Sequence, residues 1–312
     1  MSRSTISIYD LTRMFSTPDA AREYMELKRW KGSPVCPNCQ KTEGIYTLSK
    51  VGYYRCPTCK LDFTVRTGTI MERSHIPLDK WIYAFYLVVT SRKGISSLQL
   101  AKEIGITQKS AWFMLQRIRE SCGKKDDDDD QNGFLAGIVE ADETYIGGKE
   151  SNKHESKKLR MGRGAVGKIA VLGMRERGGD VKAIVIANTG SVVIQAEISK
   201  AVAPGTILCT DEHAAYRGMN QYPQLVVNHS AKELVNGMAH TNGIESVWAV
   251  LKRGFYGVYH SFSYKHLQRY VDEFTFRLNE GNVKHHTMTR IDSLLGRMEG
   301  KRITYKELIR IG

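Results

Sequence analysis

No apolar run in this sequence is long enough to cross a bilayer. The longest, WIYAFYLVV at 81–89, falls well short of the roughly 20 residues such a helix needs. The opening residues, MSRSTISIYDL, lack the apolar stretch of a secretory signal, so a soluble, cytoplasmic protein with no membrane partner is expected. Acidic residues are in deficit: 33 Asp+Glu face 46 Lys+Arg, a net charge of +13 at neutral pH. An excess of that size points to a polyanionic partner, nucleic acid before an anionic membrane face. Cysteine is sparse, with 6 in 312 residues, and four of the six form two close pairs. In a reducing compartment such pairs suggest metal rather than disulfides. The length leaves room for about two domains with a good-sized core.

The two pairs are CPNC at 36–39 and CPTC at 56–59, separated by 16 residues. This is the spacing of a zinc ribbon: each C-x-x-C sits on a tight turn that aims two thiolates at one point. Cys36, Cys39, Cys56 and Cys59 would complete a tetrahedral Zn²⁺ shell with no open position, hence a structural metal. Between them, GIYTLSKVGYYRC reads as two short strands around a turn at about Ser49–Gly52. Cys122 and Cys209 have no partner pattern and read as small buried apolar residues. A helix follows from about Leu78. The stretch GISSLQLAKEIGITQKSAWFMLQRIRE, 94–120, then reads as a capped helix broken at Gly105 and a second helix capped by Thr107. Two helices with a short glycine-containing turn form a helix-turn-helix pattern, with Gln108, Lys109 and Ser110 heading the recognition helix. A plain helical hairpin in a core has the same signature. The basic total and the neighbouring ribbon favour DNA. KKDDDDDQNG, 124–133, is a solvated charge run and reads as a linker.

From 134 the pattern becomes three strands, the second and third joined by a hairpin at Gly178–Gly179, then a helix, a strand, a helical turn, a strand and helices, an α/β sheet with helices packed on it. Asp142 lies on the first strand and Asp211 closes the fourth. HTNGIESVWAVLKRG, 240–254, reads as a helix whose stripe of Ile244, Val247, Trp248, Leu251, Phe255 and Val258 docks against the sheet. Thr241 or Asn242 would cap it. Glu245 borders that stripe, and Lys252, seven residues on, shares its direction within about 20°. Three carboxylates that gather at one point repel each other unless a cation neutralises them, and hard oxygen ligands suit Mg²⁺ or Mn²⁺. Glu140, Glu143 and Glu212 neighbour the chosen acids and stand as alternative ligands. Glu143 points the other way from Asp142 on a strand. The loop KESNKHESKKLRMGRGAVGK, 149–168, carries seven Lys/Arg against two Glu. Its Lys157, Lys158, Arg160 and Arg163 are expected to grip a DNA backbone. A merely solvated basic loop is the alternative.

The order of CPNC…CPTC, RTGTIMERSHIPLDKW, helix-turn-helix, VEADETYIGGKE, TDEHAAY and HTNGIESVWAVLKRGFYGVYH resembles the transposases of insertion-sequence family 1595 (ISXO2-like). The likeness runs through nearly the whole chain, including LLGRMEGKRITYKELI. It implies an N-terminal zinc ribbon, a helix-turn-helix, and an α/β catalytic domain of the ribonuclease H-like, DDE type: a mixed sheet with flanking helices. The family's acids match Asp142, Asp211 and Glu245, and its basic residue matches Lys252. The implied division is ribbon with N-terminal helix at 1–75, helix-turn-helix at 76–123, linker at 124–133, catalytic domain at 134–285 and a tail at 286–312. The implied activity is Mg²⁺-dependent cleavage and strand transfer on nucleoid DNA. The DNA partners are the element ends and the target, brought together by a homo-oligomer. A DNA-binding regulator with a relic catalytic domain, or a nuclease of the same fold, would share these features.

Overall fold

The computed structural model describes residues 5–123, 133–148, 154–157, 167–228, 237–261 and 263–310. Residues 124–132 of the acidic stretch, and Lys158, Arg160 and Arg163 of the basic loop, lie outside the described residues. Two compact units are present: 1–124 together with 280–312, and 125–279.

The first unit opens with α1 (Ile8–Met14) and α2 (Pro18–Trp30). Ser7 and Asp10 form a capping box on α1, and Thr17 accepts the Ala20 amide ahead of Pro18, so both helix starts are written locally. Strands β1 (Tyr46–Thr47), β2 (Tyr54–Arg55) and β3 (Asp62–Phe63) form an antiparallel ribbon in that order. Trp30 stands edge-on to Tyr54 and Phe63, at 5.3 and 5.9 Å between ring centres, which fixes α2 to the ribbon. The third strand was not read from the sequence; two residues are too short for any alternation to show. The apolar run at 81–89 lies in α3 (Leu78–Thr90), where Trp81, Ile82, Phe85, Val88 and Val89 are buried. Next come α4 (Ser97–Ile104), Gly105 at φ 61°, and α5 (Gln108–Cys122), capped by Thr107. From Ala111 to Arg119 no residue of α5 is exposed, so its accessible end is Gln108 and Lys109.

The second unit is a five-stranded mixed sheet. β4 (Ile138–Ile146), β5 (Ile169–Glu176) and β6 (Val181–Ile186) form an antiparallel meander. After α6 (Ser191–Ala201), β7 (Ile207–Asp211) and β8 (Gln224–Val227) continue the sheet in parallel, giving the order β6-β5-β4-β7-β8. Alternation along the strands divides two cores. Val139, Ala141, Leu172 and Met174 pack with Ile194 and Ile198 of α6 and with Tyr216. Ile146, Val171 and Val181 pack with α7 (Asn242–Gly254) and α8 (Leu267–Leu278) on the opposite face. The sequence stripe on α7 runs buried through Leu251 to Phe255. A π-helical turn at Phe255–Tyr259 then changes the register, and Val258 is half-buried rather than aligned with the stripe. No helix among the described residues is long and apolar enough to cross a membrane.

The chain returns to the first unit with α9 (Thr287–Gly296) and α10 (Tyr305–Ile309). Arg290, 1% exposed, donates to the Val89 carbonyl at 2.6 Å, and Gly300 N–H donates to the Gly68 carbonyl. Tyr305 stands edge-on to Trp112 and Phe113, and the Lys109 ammonium lies 4.6 Å over its ring. The segment 286–310 thus closes the same core that α3 and α5 build.

Candidate active site and zinc centre

The two cysteine turns are copies of one hydrogen-bond pattern. Gln40 N–H donates to Cys36 O and Lys60 N–H to Cys56 O; Cys36 N–H donates to Lys41 O and Cys56 N–H to Leu61 O. Gln40 and Lys60 both take φ of 59°, the left-handed turn that swings the second cysteine of each pair inward. The four sulfurs lie within 4.8 Å of one another. Backbone N–H groups of Cys59 and Thr58 hold the Cys56 thiol down at about 7, as a metal-ligating thiolate requires. The cluster fits a structural zinc ion.

On the mixed sheet, β4 pairs with β7 in parallel, Ile138 opposite Ile207 and Glu140 opposite Cys209. Continuing that register by two residues sets Asp142 beside Asp211. The third acid arrives from α7. Trp248, buried in the α7 core, donates its indole N–H to Asp142 Oδ2 at 2.9 Å. Glu245, one turn earlier and exposed, accepts from the Thr241 hydroxyl at 2.8 Å. Thr241 is the residue at the cap position, yet its side chain caps no helix amide; it restrains Glu245 instead. Asp211 Oδ1 accepts the His213 backbone N–H. Burial pushes the Asp142 carboxyl up to about 6; the Trp248 hydrogen bond opposes this, while the charges of Asp211 and Glu245 add to it. The structure therefore brings Asp142, Asp211 and Glu245 into one electrostatic neighbourhood. They do not collapse onto a single-ion shell: among the described residues, only the four cysteines offer three or more ligand atoms all within 4.8 Å.

Trp248 reaches Asp142 because Gly173, paired with Asp142 across β4 and β5, leaves the space. A Cβ at Gly173 would lie 2.5 Å from the indole ring. Gly173→Ala is expected to displace the ring and cost about 1–3 kcal/mol, the usual penalty for forcing a packed core apart. Urea unfolding measures the loss, and an Asp142 environment unchanged in carboxylate chemical shift would speak against it.

The neighbouring acids have separate surroundings. Glu140 is 1% exposed and engaged by Arg177, at 2.8 Å, and by the Ile244 amide. Glu143 lies on the α6 face, where burial pushes it up to about 7, with the charges of Asp142 and Asp211 adding. The Tyr216 hydroxyl opposes that rise, and Glu143 Oε1 and the Tyr216 hydroxyl are both buried. Glu212 follows the end of β7. Sequence reasoning missed the roles of Trp248, Gly173 and Glu140. Trp248 counted as one more apolar residue in the stripe, and the only local trace of the others was a glycine in a strand and an acid among hydrophobics.

The basic residues distribute unevenly. Lys252 is exposed on the Glu245 side of α7, with exposed Ala249 between them, and Arg253 is exposed beside it. Gln108 donates to the Ser97 hydroxyl at 2.8 Å, and Lys109 covers Tyr305. Lys157 ends a 3-10 turn, Glu155–Lys157.

Comparison with known proteins adds three findings. Residues 134–279 match a family described as the ISXO2-like transposase domain. Residues 16–62 match the transposase zinc-ribbon domain of the same group. A Halobacterium salinarum protein, described as an uncharacterized protein in transposable element ISH50, is 28% identical over 267 residues, covering 80% of this chain and 86% of its own.

Proposed function

This chain belongs to the ISXO2-like transposases of insertion-sequence family 1595, and from that membership we propose that it cuts DNA at the ends of its element and joins them to a target. The observation that carries the reading is the electrostatic meeting of Asp142, Asp211 and Glu245 on adjacent parallel strands and a docked helix. A meander of three antiparallel strands continued by two parallel ones supports a ribonuclease H-like domain.

The donor set is three hard carboxylates; burial raises the Asp142 pKa and the charges of Asp211 and Glu245 add to it, and this fits Mg²⁺ or Mn²⁺. Bound there, the ions would polarise the scissile phosphate and offset the charge of the approaching DNA backbone. The protein's own part is placement. Trp248 holds Asp142 Oδ2 and so orients that carboxylate, Thr241 limits the swing of Glu245, and exposed Lys252 and Arg253 meet a phosphate one face further along α7. Water attacks the phosphodiester at the element end. The freed 3′-hydroxyl then attacks a target phosphodiester in line, its oxygen replacing the target strand's 3′-oxygen on phosphorus, which leaves as a 3′-hydroxyl, and no protein–DNA bond forms. The ribbon, with Gln108 and Lys109 of α5, reads the terminal inverted repeats. The loop residues Lys157, Lys158, Arg160 and Arg163 hold backbone phosphates, and two ends call for a multimer.

The test is to incubate purified, zinc-loaded protein with end-bearing DNA, Mg²⁺ and a target plasmid. The expected product is end DNA joined to the plasmid. Cutting without joining would make the protein a nuclease, and binding without cutting would make it a regulator.

A further inference from the structure

Glu140 plays no part in the chemistry above, yet it is among the least accessible charged groups of the chain, 1% exposed. It precedes Asp142 by two residues on β4, so both side chains leave the same face of the sheet. Both of its oxygens are committed. Oε2 accepts the backbone N–H of Ile244 at 2.9 Å, and Oε1 accepts Nε of Arg177 at 2.8 Å. The same guanidinium reaches on to the His240 carbonyl at 2.9 Å, and His240 Nδ1 stands 3.2 Å from Oε1. Arg175, near the end of β5 and two residues before Arg177, donates to the Gly243 carbonyl and the Ser246 hydroxyl at 2.6 and 2.9 Å. Apart from the Glu140–Arg177 pair itself, each of these contacts ends on residues 240–246, the turn and first helical residues that carry Glu245.

The first amides of a helix have no partner within it and need one from outside. Thr241 does not supply it here, because its hydroxyl is spent on Glu245. The buried carboxylate supplies it from another strand, where a negative charge is also favoured by the helix dipole. Gly243 is the counterpart. Its φ is not in the left-handed region, so no turn requires glycine there. A Cβ at that position would lie 2.5 Å from Glu140 Oε2. The residue is glycine so that the carboxylate can reach the amide behind it.

We infer that Glu140 is a positioning residue which, with Arg177 and Gly243, sets the start of α7 and thereby the placement of Glu245 opposite Asp142. One strand then carries both the first metal-binding acid and the clamp that locates the third, so their separation is fixed by two residues of β4. The inference rests on the proposed metal site and deepens it.

Binding of Mn²⁺ to the zinc-loaded full chain, read from the electron paramagnetic resonance of the free ion, tests this without turnover. Hydrogen exchange of the 240–246 segment is followed alongside. Glu140→Gln and Gly243→Ala are each expected to weaken Mn²⁺ binding about tenfold, the usual scale for groups behind a ligand. They should also speed exchange at Ile244. The second variant leaves every charge in place and keeps the inference testable should Glu140→Gln not fold. Glu245→Gln weakens binding as well, and the Glu140→Gln/Glu245→Gln double variant should be no weaker than Glu245→Gln alone, because the clamp acts through that side chain. Wild-type binding with unaffected Glu140→Gln and Gly243→Ala, or losses that multiply in the double variant, would overturn the inference alone. No binding by the wild type, or binding indifferent to Glu245→Gln, would overturn the metal reading and the inference with it.

Discussion

Glu245→Gln is expected to lose cleavage and joining by about a thousandfold or more, while binding to element ends stays within a few-fold of wild type. The size follows from what one metal ligand controls: a correctly held ion supplies several kcal/mol of transition-state stabilisation, and each 1.4 kcal/mol is about a factor of ten. The fold has little at stake, since Glu245 is exposed and the Gln oxygen still accepts from Thr241. Steady-state joining assays and gel-shift titrations on the same preparation separate the two effects. Near-normal joining in the variant would remove Glu245 from the site.

Removing the zinc is expected to be as drastic within the first unit. Structural zinc contributes on the order of 10–16 kcal/mol of apparent binding energy, comparable to the whole stability of a domain. The ribbon has little else: three two-residue strands, and a core of Trp30, Tyr54 and Phe63 that depends on those strands. Chelation, or Cys56→Ser, should therefore abolish the near-ultraviolet circular dichroism of Trp30. It should also release exchange protection across 36–63 and reduce end binding at least about tenfold. Helix α2 would loosen with it, because Arg29 donates to the Val65 carbonyl and Tyr54 to Glu26. Unchanged end binding after chelation would mean that the ribbon does not read DNA.

The parts of this architecture that were legible in the sequence are the parts with local causes. Each C-x-x-C turn brings its own hydrogen bonds, Gly178–Gly179 makes its own hairpin, and α4 and α5 carry their caps and the Gly105 break within a few residues. Asp142, Asp211 and Glu245 were picked out because acids at strand ends and at the border of an apolar stripe have few structural reasons to be there. What was illegible depends on distant partners. Nothing near Glu140 announces that its carboxylate caps a helix 104 residues later. Gly173 looks like a flaw in a strand until the Trp248 ring is laid over it. Thr241 looks like a helix cap until its hydroxyl is found on Glu245. The closing of the first core by 286–310 rests on contacts such as Arg290 with Val89, about 200 residues apart, for which no periodicity exists.

The central claim is that the three acids are held together at a cost that a divalent cation relieves. In the metal-free protein the Asp142 carboxyl titrates near 6 and Glu143 near 7, both above the ordinary carboxylate range near 4. A carboxyl whose folded pKa is raised contributes stability that is full below about pH 4 and is lost as pH rises through the folded value. Between pH 5 and 8 the metal-free chain should therefore become less stable, with Asp142 accounting for up to about 3 kcal/mol. The decisive measurement is urea unfolding of the zinc-loaded full chain across that range, with and without Mg²⁺, for wild type and Asp142→Asn. The expected result is a Mg²⁺ stabilisation that grows with pH in the wild type. In Asp142→Asn it should be largely lost, with a metal-free stability at pH 8 above that of the wild type. A wild type indifferent to Mg²⁺ at every pH, with Asp142→Asn less stable than it at pH 8, would contradict the claim.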